Sequence, residues 1–276
     1  LKVSLVIKYK YFFGSDERSL GFLETIFKHI EDIRVVTLPP KKIGRGRKIS
    51  SNPVQNYCEK KEIQYSFYDD EAVYKDMEYG IVASFSKIFS KKFLSQNSSL
   101  FNIHLSLLPM YKGPTPVETA LLNLEKISGF TIFKINEDID TGDIIFQTSL
   151  NIDGKYSTEV YDDIFRSFDK NFLNINFYNK GEVQEKLSSN TRKFVKQDFN
   201  INNLSISDAK VKIKAFDYLG PAYITYNDKN LKILSYSDDV QASSIELVDG
   251  LLYPVYVVPE GKNKMLFEDY LRGIKW

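Results

Sequence analysis

Leu100-Phe101-Asn102-Ile103-His104 runs on into Leu105-Ser106-Leu107-Leu108-Pro109, and 36 residues past the histidine stands Asp140-Thr141-Gly142-Asp143. Residues 100–104 are apolar and end where a polar loop begins, the pattern of a strand feeding a loop. Side chains two apart on a strand share a face, so Asn102 lies beside His104. An amide NH2 and a protonated imidazole aimed at one point can stabilise an oxyanion forming on a carbonyl, and an imidazole can also move a proton. A carboxylate at Asp140 would hold the imidazolium and steer that proton. Taken alone, an Asn-x-His pair more often marks nothing beyond a satisfied strand end.

Working outward, residues 79–85 are nearly continuous in apolar side chains, as a central parallel strand buried on both faces should be. Residues 9–13 form another strand, after which Gly14 turns the chain and Ser15-Asp16 caps a helix with apolar positions at Leu20, Leu23, Ile26, Phe27 and Ile30. Strand, turn and helix open a doubly wound α/β domain. Gly14 and Gly21 do not make G-x-G-x-x-G, so the dinucleotide fingerprint is absent. Further strands are expected over 34–38 and 63–67, with a helix after Asn52-Pro53. Past the central loop, 116–124 reads as a helix, 129–135 and 144–152 as strands flanking Asp140, and 156–177 as a long helix whose Val160, Ile164, Phe168 and Phe172 face the core. The polar stretch 181–204 reads as a linker. Strand-like runs at 222–225, 232–234 and 254–258 then suggest a small barrel.

Composition narrows the function classes. The chain has 276 residues and charges that cancel to +1, so nucleic-acid contact would have to come from a local patch. Such a patch follows Pro39-Pro40, where Lys41, Lys42, Arg45, Arg47 and Lys48 share a segment with two glycines. It reads as a loop, and a solvated basic surface is its simplest explanation; no Gly-Lys-Ser/Thr follows, so it is not a Walker A loop. The single cysteine, Cys58, excludes a disulfide framework and a cysteine zinc cluster. No apolar run reaches 18 residues, so no membrane-spanning helix is expected. Residues 1–10 are basic and acid-free, which suits the stub of a trimmed leader as well as the start, at 3–7, of the first strand.

Asn-x-His-x-Ser-Leu-Leu-Pro, the Gly113-Pro114-Thr115-Pro116 turn and Asp-Thr-Gly-Asp together resemble the 10-formyltetrahydrofolate-dependent formyltransferases very closely. The resemblance implies that Asn102, His104 and Asp140 form the catalytic constellation. It further implies a folate site at Val82, Ser84, Phe85, Ser106, Leu107, Leu108, Pro109 and Asp138. Phe12-Phe13-Gly14-Ser15-Asp16-Glu17 and the stretch from Val35-Val36-Thr37 to Asn52-Pro53-Val54 resemble the methionyl-tRNA formyltransferases, whose basic loop meets the tRNA acceptor end. Lys41, Lys42, Arg45, Arg47 and Lys48 would be that contact. Arg18 departs from the aromatic residue usual in the family. Lys214-Ala215-Phe216 and residues 261–273 resemble the family's C-terminal domain, although here that domain is short and near-neutral.

The expected fold is therefore α/β: a Rossmann-like formyltransferase domain with a mostly parallel sheet over 1–180, a linker over 181–204, and a small OB-like β-barrel domain over 205–276. The expected co-substrate is 10-formyltetrahydrofolate with no metal, the acceptor initiator methionyl-tRNA, and the state a monomer away from membranes. The opening Phe-Phe-Gly-Ser-Asp and residues 80–85 look more like mitochondrial members than bacterial ones, with a bacterial cytoplasm the alternative compartment. Rival chemistries are weaker. A zinc site would have to be completed by carboxylates, since His29 and His104 are the only histidines. Ser106 lacks the strand-to-helix elbow of a serine nucleophile. A sugar-amine formyltransferase or a formyltetrahydrofolate deformylase shares the central block but, as a family, not the basic loop. A folate- or RNA-binding relative without turnover would have no reason to keep all three of Asn102, His104 and Asp140.

Overall fold

The computed structural model describes residues 8–43 and 48–273. The alternative readings of residues 1–7, and the positions Arg45 and Arg47, lie outside the described residues. Packing divides the chain into two compact units, Leu1–Gly113 with Gly129–Leu150 and Asp163–Asn190, and Pro114–Ser128 with Asn151–Asp162 and Thr191–Trp276.

In chain order, β1 (Tyr9–Phe13) leads into α1 (Glu17–His29), whose first turn is closed by a reciprocal capping box between Asp16 and Ser19. There follow β2 (Ile33–Thr37), β3 (Lys41–Ile43), β4 (Lys48–Ser50), α2 (Pro53–Lys60) capped by Asn52, and β5 (Tyr65–Phe67). Next come β6 (Met77–Ala83), α3 (Lys91–Gln96), β7 (Leu100–His104), α4 (Pro116–Leu122), β8 (Ile127–Lys134), β9 (Ile144–Asn151) and α5 (Ser157–Asn171). The remainder is α6 (Ile206–Ala215), β10 (Tyr223–Tyr226), β11 (Lys229–Ser237), β12 (Ile245–Leu247), β13 (Gly250–Pro259), β14 (Met265–Leu266) and α7 (Phe267–Arg272).

The large sheet has the order β5-β2-β1-β6-β7-β8-β9. Pairing is parallel from β5 through β7 and turns antiparallel at β7–β8, which gives the mostly parallel sheet expected. From β1 the chain moves outward through β2 to β5, then returns to the other side of β1 as β6. That reversal opens a crevice beyond the carboxyl ends of β1 and β6, where ligands of such sheets bind. Serines line it: Ser19 Oγ donates to the Ala83 carbonyl at 2.9 Å, and the Ser86 amide donates to Ser15 Oγ at 3.2 Å. Below them Phe13, fully buried, packs against Tyr74, Phe85, Phe89 and Phe93. Gly129 is required by proximity, since a Cβ there would come within 1.9 Å of the Thr148 carbonyl oxygen.

The second unit holds an antiparallel sheet of order β10-β11-β13-β12, with β14 on β13, a half-barrel that fits the small barrel expected. Leu231, Ile233, Leu252 and Val257 fill it, with Ile213 of α6 and Phe267 of α7 joining the same core.

Several elements differ from their sequence pattern. The basic segment is a hairpin rather than a loop, with Lys41 opposite Ser50 and Lys42 opposite Ile49. Pro39-Pro40 stops β2, and nothing beyond Pro40 prevents the chain from pairing with itself. The helix expected over 156–177 ends at Asn171, whose side chain turns back to the Ser167 carbonyl, and a 3₁₀ turn over Phe172–Asn174 follows. Helix α6 went unread, although Ser205 caps it and Ala209 and Ile213 are buried. The polar stretch 181–204 is hydrogen-bonded along its length, with bridges at Glu182–Ile144, Lys112–Asn190 and Asn200–Tyr223.

Cys58 is fully buried on α2, and burial, helped by the Glu59 carboxylate, pushes its thiol up to about 11. The thiolate is the reactive form. The folded protein should therefore resist a chromogenic disulfide reagent at pH 8 and react fully after denaturation; rapid labelling of the native protein would show that this helix opens.

Candidate functional site

The site begins at the end of β7. Phe101, Ile103 and His104 are buried while Asn102 is half-buried, and β8 runs antiparallel with Phe133 opposite Asn102 and Thr131 opposite His104. His104, 5 % exposed, presents both ring nitrogens to oxygen. Nε2 lies 2.8 Å from the Tyr111 carbonyl and must donate to it, because a carbonyl only accepts. Nδ1 faces Asp140 Oδ2 at 3.5 Å. An imidazolium satisfies both contacts.

Asp140 is oriented by more than the histidine. Its Oδ2 accepts from the Gly113 amide at 2.7 Å, and its backbone is left-handed, φ 53°. The expected Gly-Pro-x-Pro turn thus supplies an amide to the carboxylate that faces the imidazole. Two residues on, a Cβ at Gly142 would lie 1.7 Å from the Lys134 carbonyl oxygen, so only glycine lets the turn lie against β8.

Beside this pair lies a cleft of about 170 Å³. Asn102 and Asp140 border it together with Val82, Phe85 and Asp138, so two catalytic candidates and three folate candidates share one wall. Ser84, Ser106, Leu107, Leu108 and Pro109 do not border it, and neither does His104. Ser84 has φ 46°, and its carbonyl accepts from Ser19 Oγ at 3.2 Å. Ser106 is fully buried and donates to the Met110 carbonyl at 2.6 Å. Gln147 Nε2 donates to the Leu108 carbonyl at 2.9 Å and to Thr131 Oγ1 at 2.8 Å, which makes the Ser-Leu-Leu-Pro corner a braced support beneath the histidine.

The cleft also contains side chains not singled out from sequence: Lys87, Ile88, Phe89, Ile135, Asn136 and Ile139 among them. They come from the loop after β6 and from the loop between β8 and Asp140. The available signal was positional, since loops at the carboxyl ends of central strands are where such sheets bind ligands. A lining that combines aromatic rings with amides and carboxylates suits a flat heteroaromatic ligand with a polar edge.

A second cleft, about 240 Å³, runs beside Ser15, Lys41, Ser50, Asn52 and Ser86 at the base of the β3–β4 hairpin. Lys41 and Lys42 are exposed. In the second unit, Lys210, Lys212 and Lys214 of α6 are already engaged. They contact Asp238 at 2.6 Å, the Asn200 carbonyl at 3.0 Å and the Gly154 carbonyl at 2.8 Å respectively. Among the described residues no group of three or more His, Cys, Asp or Glu side chains could hold a metal ion, and no helix is long and apolar enough to cross a membrane.

The methionyl-tRNA formyltransferase of Fervidobacterium nodosum is 27% identical over 296 residues, covering 93% of each chain. That of Borrelia duttonii is 32% identical over 225 residues, covering 75% of this chain and 72% of the other. Among solved structures, a sugar 3N-formyltransferase crystallised with dTDP and 5-N-formyl-THF superposes with a TM-score of 0.66 at 23% identity, covering 94% of this chain and 100% of the other. Residues 24–175 match the formyl transferase family along more than half of the sequence, and the chain belongs to that family.

Proposed function

We propose that the protein is a methionyl-tRNA formyltransferase, which moves the formyl group of 10-formyltetrahydrofolate to the α-amino group of methionyl initiator tRNA for translation initiation. The observation that carries the chemistry is His104 set between the Tyr111 carbonyl and Asp140, next to a ring-lined cleft that Asn102 and Asp140 border. The relatives named above, which carry that activity in their names, support the acceptor.

The co-substrate supplies an activated formyl carbon on N10. Its bicyclic head suits the cleft between Phe85, Ile88 and Phe89 and the polar groups Asn136, Asp138 and Asp140, with Ser84 and the Ser106–Pro109 corner shaping the approach. The amine nitrogen bonds to the formyl carbon as the N10–carbon bond breaks, a proton leaves the amine, and N10 gains one. Asn102 and His104 donate to the oxyanion formed on the way. Because Nε2–H rests on the Tyr111 carbonyl, His104 acts by turning that N–H toward the developing charge. Asp140 balances the imidazolium and assists the proton transfer. No step calls for a metal.

On the acceptor side, Lys41, Lys42, Arg45, Arg47 and Lys48 meet the tRNA end, where lysine and arginine neutralise phosphates and arginine can also stack on unpaired bases. The serine-lined cleft bordered by Lys41 would receive the chain that follows that contact. We assign catalysis to residues 1–180 and a supporting role to 205–276, with the enzyme acting as a monomer. The working compartment is one that initiates with formylmethionine: a mitochondrial matrix on the pattern of residues 12–16 and 80–85, or a bacterial cytoplasm, as in the relatives above.

The deciding assay offers labelled 10-formyltetrahydrofolate with charged initiator tRNA, with an amino sugar nucleotide, and with water alone; transfer to the sugar or to water in place of the tRNA would refute the assignment. His104→Ala should lower turnover by about 10²–10³-fold at saturating substrates, the usual effect of losing one preorganised donor. Near-normal turnover in that variant would remove His104 from the mechanism. Replacing Arg45 and Arg47 together with alanine should weaken tRNA binding and flatten its salt dependence while folate binding stays unchanged. Equal loss of folate binding would make the hairpin a structural element.

A further inference from the structure

The segment from Glu182 to Asn190 has the composition of a linker, yet it grips both turns that frame His104. Glu182 and Ile144 exchange two backbone hydrogen bonds of 2.8 Å. Gln184 Nε2 then donates to the carbonyls of Asp140, at 3.0 Å, and Gly142, at 2.9 Å. Farther along, Ser189 Oγ accepts from the Tyr111 amide at 2.9 Å, and the Ser189 carbonyl accepts from the Lys112 amide at 2.8 Å. One short run of chain therefore ties the turn bearing Asp140 to the turn whose carbonyl takes the His104 proton.

Gln184 has a feature that packing does not explain. Its Oε1 is buried with no hydrogen-bond partner. An unpaired buried carbonyl carries a desolvation cost that a leucine of similar size would not. The amide cannot be flipped to relieve this, because both of its neighbours are carbonyls and accept only. A glutamine here makes sense for what its NH2 holds. It holds Asp140 at φ 53°, a conformation that a residue with a side chain keeps only when its surroundings enforce it. The opposite side of the same turn is closed by Gly142 lying against β8.

We propose that Gln184 is a positioning residue of the formyl-transfer site, fixing the Asp140–Gly142 turn so that the carboxylate faces His104, and that Ser189 does the same for the Tyr111 turn. This rests on the reading of the site as a formyltransferase centre. Gln184 touches neither substrate nor reacting atoms. It acts through Asp140.

Gln184→Leu separates this role from a structural one. The melting temperature should not fall, since the substitution also removes the unpaired Oε1. Turnover should drop about tenfold, with KM for both substrates and folate affinity within about twofold of wild type, the pattern of an interaction used in the transition state. In an Asp140→Asn background the same substitution should change turnover by less than about twofold, because residues acting as one unit are non-additive. Hydrogen exchange supplies an arm independent of substrate: amides in 111–113 and 138–144 should exchange faster in Gln184→Leu, with the rest of the chain unchanged. A full tenfold loss persisting in the Asp140→Asn background, or unchanged exchange in both turns, overturns the proposal. If the wild-type protein formylates no methionyl-tRNA, the functional reading fails, and the exchange arm still decides the role of Gln184.

Discussion

A carboxylate that must face an imidazole from a left-handed backbone position sets the terms for much of the first unit. Asp140 cannot be held there by His104 alone, across 3.5 Å, without the turn relaxing to an ordinary conformation. The fold closes the turn from three directions: the Gly113 amide on the carboxylate, Gln184 on the backbone carbonyls, and Gly142 against β8. Each comes from a different stretch of chain. The pair is therefore a property of the assembled sheet, and none of these segments would form it in isolation.

The same logic explains why the imidazole sits on β7. A strand with parallel β6 on one side and antiparallel β8 on the other has its backbone fixed along both edges, so the last side chain emerges at a set height and angle. Beneath it the Ser106–Pro109 corner is braced by Gln147 and Thr131. The neighbouring cleft takes one wall from Phe85 and Phe89, which pack on Phe13, so the ligand-facing rings rest on the core of the sheet. Rigid support of this kind is what preorganised donors need, since they stabilise charge only if they do not have to move to meet it.

Much of this was legible in the sequence because period and punctuation agree locally. Residues 9–13 and 100–104 are strands with the bounds their patterns set, and Asp16 and Asn52 cap helices as their side chains allow. What escaped depends on contacts distant along the chain. Residues 181–204 are polar in composition, and polarity says nothing about whether an amide will find a carbonyl forty residues upstream, as Gln184 does. The lysines of α6 look available in sequence, but Asp238, Asn200 and Gly154 engage them. Ser106 to Pro109 belong to the central motif, yet they do not line the cleft, and Gln147 and Thr131 brace them. A motif records which residues a site needs without recording which of them face the ligand.

The His104–Asp140 pair and the basic hairpin are carried by different parts of the sheet, and this separation has a physical consequence. The His104–Asp140 pair depends on the β7–β8 register and the Asp140 turn, on one side of the reversal between β1 and β6. The basic hairpin follows β2, on the other side, and among the described residues its strands β3 and β4 pair with each other. None of the described hydrogen bonds around His104 and Asp140 comes from the hairpin. A fold arranged in this way can keep one formyl-transfer centre and exchange acceptors, which is why an architecture shared with a sugar 3N-formyltransferase does not by itself choose between a sugar and an RNA. The choice falls to the side chains that meet the acceptor, and on the proposed reading these include the basic segment, whose Lys41 borders a serine-lined cleft. On that reading, basic charge at a cleft rim favours a polyanion by long-range attraction before any contact forms, whereas a neutral rim would leave selection to the shape of the cleft alone.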